Sequence, residues 1–125
     1  MEKNQLREDS IDFAISVSDI CDNIKGYAVF VNQLLRAASS IGANIHEAKY
    51  AQSRADFVNK LEIALKESSE TEYWIELLYR KNKLGEDQAK HCENHALPEN
   101  FDTMEYMEFL SKRRVMMAQI VKKAF

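Results

Sequence analysis

Glycine and proline are scarce, with 3 Gly and 1 Pro in 125 residues. The two together usually make up about 12% of a chain. Strands need tight turns, and tight turns draw on Gly, Pro and Asn. A sandwich, a barrel or a Rossmann-type domain is therefore disfavoured. The two cysteines, Cys21 and Cys92, form no CxxC metal or redox spacing. Free thiols in a domain of this length suit a reducing cytoplasm. The longest stretches without charge, Gly26 to Leu35 and Ala37 to His46, run 10 residues each, whereas a membrane span needs about 20. Met1 to Asp9 carries no apolar signal region. The expectation is a cytoplasmic protein without membrane contact. The charge sum is −3, from 17 cations and 20 anions. That argues against coating nucleic acid by bulk electrostatics, although a local basic patch stays open.

Hydrophobic residues make up 46% and charged residues 30%, a globular balance rather than a disordered one. The length is that of one domain with one core. Leu6, Phe13, Val17, Ile20 and Ile24 recur at helical spacing with Asp9, Asp12, Asp19 and Asp22 between them, which predicts an amphipathic helix near 6–25. Gly26 stands where a helix C-terminus wants a positive φ. Tyr27, Phe30, Leu34, Ala37, Ile41, Ile45 and Ala48 predict a second helix near 27–49, folded back on the first.

Ser53 reads as the N-cap of a third helix near 54–83, and Asp56 suits its positive end. Phe57, Leu61, Ala64, Ser68, Thr71, Ile75 and Leu78 form the inner stripe, spaced 4, 3, 4, 3, 4 and 3. Val58, Leu65, Trp74 and Leu77 widen it. Lys81, Lys83 and Gly85 supply the cations and the breaker expected at its end. The polar stretch that follows, with Pro98 near its end, reads as a connection containing a short helix at 87–95. A fourth helix spans 103–124, with Met104, Met107, Leu110, Met117, Val121 and Ala124 on its inner face. Helices of comparable length joined in this way predict an all-α, antiparallel up-down-up-down four-helix bundle in a single domain, 1–125. The small residues Ala37, Gly42, Ala64, Ser68 and Thr71 on the stripes predict close helix packing rather than a hollow for a cofactor.

The second and third helices carry a recognisable signature. Arg36-Ala37-Ala38-Ser39-Ser40-Ile41-Gly42-Ala43-Asn44-Ile45-His46-Glu47 is followed by Ser53, Asp56-Phe57 and Leu61-Glu62-Ile63-Ala64-Leu65, then by Ser68-Ser69-Glu70 and Glu72-Tyr73-Trp74. This resembles the bacterial four-helix-bundle family named for proteins encoded in intervening sequences of 23S rRNA genes. Some of its members carry a ribosomal-protein label. The accessory protein of diversity-generating retroelements is a relative with the same fold. The likeness is good over residues 6–83 and holds only by pattern beyond. It implies a ring-like homopentamer, no enzymatic activity, no cofactor and a suspected association with RNA or the ribosome. The chain departs from the family in having Ala48 where a Gly is usual, and in a longer stretch from Gly85 to Phe101.

The polar residues of the signature, Arg36, Asn44, Glu47, Ser53, Glu70 and Glu72, are expected in a structural or interfacial network rather than a catalytic site. Asn44 and Glu47 lie one turn apart on one helical face, beside apolar Ile41 and Ile45, where a half-buried amide needs partners. Glu62, Glu67, Glu70, Glu72 and Glu76 load the third helix with carboxylates. A carboxylate-bridged di-iron bundle would add Glu-x-x-His motifs, yet Ala43, Gln88 and Cys92 precede His46, His91 and His95 by three positions. A solvated face laced with ion pairs is the better reading. His91, Cys92 and His95 have spacing that suits Zn²⁺, but a closed site needs a further ligand that nothing implies.

The candidate nucleic-acid contacts are Arg80, Lys81 and Lys83 at the end of the third helix and Lys112, Arg113 and Arg114 on the fourth. From Asp102 to Phe125 five cations face three anions. An antiparallel bundle brings the end of helix three and the start of helix four together, and a ring would repeat any patch and raise its avidity for a polyanion. The aromatics Tyr50, Tyr73, Trp74, Tyr79 and Phe125 exceed what such a core must hide, and a subunit interface is the commoner destination for them. The residues alone predict a helical, non-enzymatic assembly or binding protein, in which these cations also suit the helix dipoles; the resemblance implies a homopentamer, with RNA contact as a candidate role. Its alternatives are an adaptor for a protein such as a reverse transcriptase, against which the acidic balance weighs, and a metal-binding helical bundle.

Overall fold

The computed structural model describes residues 5–89 and 103–124, with side chains for 5–22, 24–81 and 108–124. Four helices follow in order: α1 (Gln5–Asn23), α2 (Ala28–Ala48), α3 (Arg54–Ala89) and α4 (Thr103–Ala124). Each packs on its neighbours in sequence, and α4 closes the square against α1. The α2–α3 seam is the most extensive and the α1–α4 seam the loosest. The α1–α2 and α3–α4 seams lie between them, so the α1–α4 and α2–α3 faces are opposite sides of the bundle.

The reversals follow local chemistry. α1 ends at Asn23, and the chain turns through Gly26 at φ 85° and Tyr27 at φ 53°. Gly26 meets the predicted need for a positive φ at no steric cost, whereas Tyr27 holds a conformation that few side chains adopt. Its ring lies 5.3 Å under the Lys81 ammonium, a contact that favours the strained geometry. α2 finishes on tightened bonds from Lys49, Tyr50 and Ala51 to the carbonyls three residues back, at 3.2, 3.0 and 3.1 Å. Ala48, at the position of the usual family glycine, is buried in regular helix. Ser53 caps α3 as predicted, its Oγ accepting from Asp56 N–H at 3.1 Å. The Asp56 carboxylate reaches back to accept from Gln52 N–H at 3.3 Å, a variant of the capping box.

α3 corrects one boundary. It runs unbroken through Gly85 to Ala89, six residues past the predicted end at 83. An isolated glycine costs a helix only about 1 kcal/mol relative to Ala, and the residues around Gly85 are good helix formers. Residues 87–89 of the predicted short helix are the last turn of α3, and 90–95 lie outside the described residues. At about 54 Å against about 32 Å for α2, α3 outruns the α1–α2 hairpin.

The core lies where the stripes predict on the first three helices. Phe13, Val17, Leu34, Ile41, Leu61, Ile75 and Leu78 are buried. On α4 the predicted face is rotated by about one position. Phe109, Arg113, Met116, Ile120 and Ala124 point inward, Leu110 and Met117 are half-buried, and Val121 is exposed. The cation in the middle of the true stripe disguises its period. Phe13 and Phe109 meet edge to face at 6.2 Å across the centre. The void among Val17, Ile20, Leu34, Ile75 and Phe109 measures about 10 Å³, no more than one water could use. Ala37, Ala38, Ala64, Ser68 and Thr71 are fully buried, and a Cβ on Gly42 would sit 3.2 Å from Ser10 Oγ. The packing is close, as the small residues imply.

Candidate functional site

The signature residues divide into separate contacts rather than one network. Arg36, on the outer edge of α2, reaches across to α3, where its guanidinium pairs with Glu67 at 3.3 Å and with Glu70. Its Nε also donates to Gln33 at 3.1 Å. The Glu70 carboxylate accepts from the Trp74 indole at 3.2 Å. Hydrogen bonds from Arg36 and then from Trp74 hold the Glu70 carboxyl below its ordinary range, and the bond to Glu70 raises Arg36. One turn along, Phe30 of α2 stacks on Trp74 at 6.0 Å.

The other members stand apart. Glu47 pairs with Lys60 across the same seam at 2.9 Å, and that bond raises the Lys60 ammonium. Asn44 turns back on its own helix, donating to Ser40 O at 2.8 Å. Ser53 is the α3 cap, and Glu72 binds Arg113 of α4 at 2.9 Å. Arg36, Glu47, Glu70 and Glu72 therefore fix the register of α2 on α3 and of α3 on α4. Among the described residues, neither Arg36 nor a shared partner joins Asn44 to Glu47.

The six candidate nucleic-acid contacts do not gather into one patch. Arg113 is 8% exposed, with Met117 Sδ and the Glu72 carboxylate around its guanidinium. It is an interior cation, out of reach of a phosphate, because the α4 stripe turns it inward. Lys112 lies in the groove between α1 and α4, beside Asp9 and Asp12, and pairs with Glu108 at 3.2 Å. Arg114 is exposed. Arg80 and Lys81 lie on the opposite side, along the α2–α3 seam. Lys83 falls in α3, and its side chain is outside the described residues. Antiparallel packing brings the helix ends together in height but places their cations on different faces.

The α2–α3 side does hold a concave surface. A groove of about 370 Å³ is lined by Phe30, Tyr73, Glu76, Leu77, Arg80 and Lys81. Tyr73 in its wall is 55% exposed, and Val29 in the first turn of α2 is 71% exposed. Arg80 pairs with Glu76 at 3.3 Å. Of the surplus aromatics, Tyr50 is exposed near His46, while Trp74 and Tyr79 are half-buried. Phe125 lies outside the described residues.

Two features escaped the sequence reading. Val29 begins α2 facing outward, and Ile11 and Ile15 stand on the outer face of α1, away from its core stripe. A one-turn spacing out of phase with Leu6, Phe13 and Val17 was the available signal for the isoleucines.

Among the described residues no group of three or more His, Cys, Asp or Glu could hold a metal ion, and no helix is long and apolar enough to cross a membrane. His91, Cys92 and His95 lie outside the described residues.

Comparison with known proteins agrees with this architecture. The chain is similar to the crystal structure of a protein of unknown function from the S23 ribosomal protein family of Bacteroides thetaiotaomicron. The two share 34% identity and a TM-score of 0.75, over 95% of this chain and 97% of the other. No curated protein matches in sequence. The profile of the 23S rRNA-intervening sequence proteins matches residues 2–98, taking in the signature on α2 and α3 and much of the stretch after it. The chain belongs to the 23S rRNA-intervening sequence protein family.

Proposed function

We propose that this protein is a non-catalytic, self-assembling helical protein, a homopentamer as its family resemblance implies, that works by presenting surfaces rather than by transforming a substrate. One observation carries the reading: large apolar side chains remain on the outside of a bundle whose core is already filled. Ile15, Val29 and Tyr73 are each more than half exposed, while the central void is only about 10 Å³. Phe30, Tyr73 and Leu77 line one groove; apolar side chains gathered in this way mark an interaction site, and Tyr is enriched at such sites. The groups with shifted acidity have structural causes: Arg36, Glu70 and Lys60 through ion pairs that join helices, Cys21 through burial.

RNA contact is the weaker part of the reading. The cations expected to carry it are spread over opposite faces and the interior, so phosphate binding would rest on the Arg80–Lys81 face, on exposed Arg114, or on repetition around a ring. Both parts are tested together by light scattering on a sizing column at low salt, where weak phosphate contacts are not screened, with absorbance followed at 260 and 280 nm. A mass near five times the 14.5 kDa chain supports the assembly. Excess absorbance at 260 nm on that peak, lost on replacing Arg80 and Lys81 by Ala, supports RNA contact. A monomer peak without excess absorbance contradicts both.

A further inference from the structure

Exposed apolar residues stand on several faces, Val115 and Val121 of α4 among them, and two of these faces differ in the charge around them. On α1, Glu8, Ile11, Asp12, Ile15, Asp19 and Asp22 are all exposed. Their spacing of three, one, three, four and three places them on one outward stripe. The two isoleucines, 37% and 54% exposed, form a ridge among four carboxylates. Across the bundle, the α2–α3 groove offers the converse. Phe30, Tyr73 and Leu77 give it apolar walls, and Arg80, Lys81 and Glu76 complete its lining, with Arg80 paired to Glu76.

We propose that these two faces are partners: the acid-rimmed Ile11–Ile15 ridge of one copy seats in the Phe30–Tyr73–Leu77 groove of the next. The inference rests on the self-assembly proposed above and names its surfaces. Ridge and groove are different patches on one chain, so the contact is heterologous, and a heterologous contact closes into a ring when its rotation permits. Like meeting like would set Glu8, Asp12, Asp19 and Asp22 against their own copies, which repel. Ridge on groove sets them against a lining in which Arg80 and Lys81 outnumber the single carboxylate, Glu76, and complementary charge selects the pairing and its register. The occupant of each face is thus a second copy of this chain.

Two variants separate the faces. Ile15→Lys blocks the ridge and leaves the groove intact, and Tyr73→Asp does the reverse. Both positions are more than half exposed, so helical content and melting temperature should match wild type, and these are measured first. Light-scattering mass is then read for wild type, each variant alone and an equimolar mixture. Each variant alone should drop to monomer. The mixture should form a dimer and stop there, because one intact ridge meets one intact groove and the remaining pair is blocked on both sides. An assembled wild type with either variant still at full mass, or a mixture that stays monomeric, overturns the pairing while leaving self-assembly standing. A monomeric wild type overturns the assembly reading itself, and the pairing with it.

Discussion

The Arg113 guanidinium lies 2.9 Å from the Glu72 carboxylate in the α3–α4 seam. Arg113 is almost wholly buried, and its Nε has no hydrogen-bond partner. Glu72 is about half exposed, so the pair is an interior cation answered by a surface anion. Removing the anion strands a buried charge, whereas removing the cation also removes the desolvation cost. Glu72→Ala should destabilise the fold by about 1–3 kcal/mol. Arg113→Met, of similar length and apolar, should be neutral or stabilising. Urea unfolding of the two variants checks the contrast, and equal losses would contradict it.

Close approach of α1 and α2 depends on Gly42, where an added Cβ already crowds Ser10 Oγ at 3.2 Å. That hydroxyl donates to Arg7 O at 2.7 Å and has little freedom to retreat. Gly42→Leu should cost about 1–3 kcal/mol through overpacking. The same substitution at Ala43, on the exposed side of α2, should be close to neutral. Paired melting curves decide whether the position or the residue type matters.

Burial, aided by the Asp22 carboxylate, pushes the Cys21 thiol up from its ordinary 9.0 to about 11. The folded chain therefore keeps that proton at a pH where the unfolded chain releases it. Stability present below pH 9 should fall as pH climbs from 9 towards 11. Cys21→Ala should flatten this part of the profile. Denaturation midpoints measured across that range test the sign, and parallel profiles would contradict it.

The α3 cap offers a local test. Ser53 Oγ accepts from Asp56 N–H at 3.1 Å, and Ser53→Ala should cost about 1 kcal/mol, with Ser53→Gly costing only a few tenths. Thermal unfolding of the two variants separates loss of the hydroxyl from a change in backbone.

The sequence carried the fold wherever apolar spacing was uninterrupted. The Phe57–Leu78 stripe of α3 and the Gly26 reversal are where periodicity and turn chemistry place them. It misled where a charge entered the core. With Arg113 inside, the stripe Phe109, Arg113, Met116 and Ile120 reads as broken, and the neighbouring methionines offer a cleaner but false period. Gly85 misled for the opposite reason, since a helix tolerates a breaker whose cost is small. The polar signature was legible as residues but not as partners. Arg36 finds Glu67 and Glu70 more than thirty positions away, a pairing set by the register of α2 on α3. The outward isoleucines of α1 stand one turn apart and out of phase with Leu6, Phe13 and Val17, so their spacing is legible but is hidden among the acidic residues around them.

Assembly of this protein through unlike faces into a closed ring, as proposed above, is decided by native mass spectrometry of the wild-type chain across a hundredfold range of concentration. One dominant species near five times 14.5 kDa, with no ladder of larger ones, is expected. A monomer throughout, or a ladder that lengthens with concentration, would contradict it.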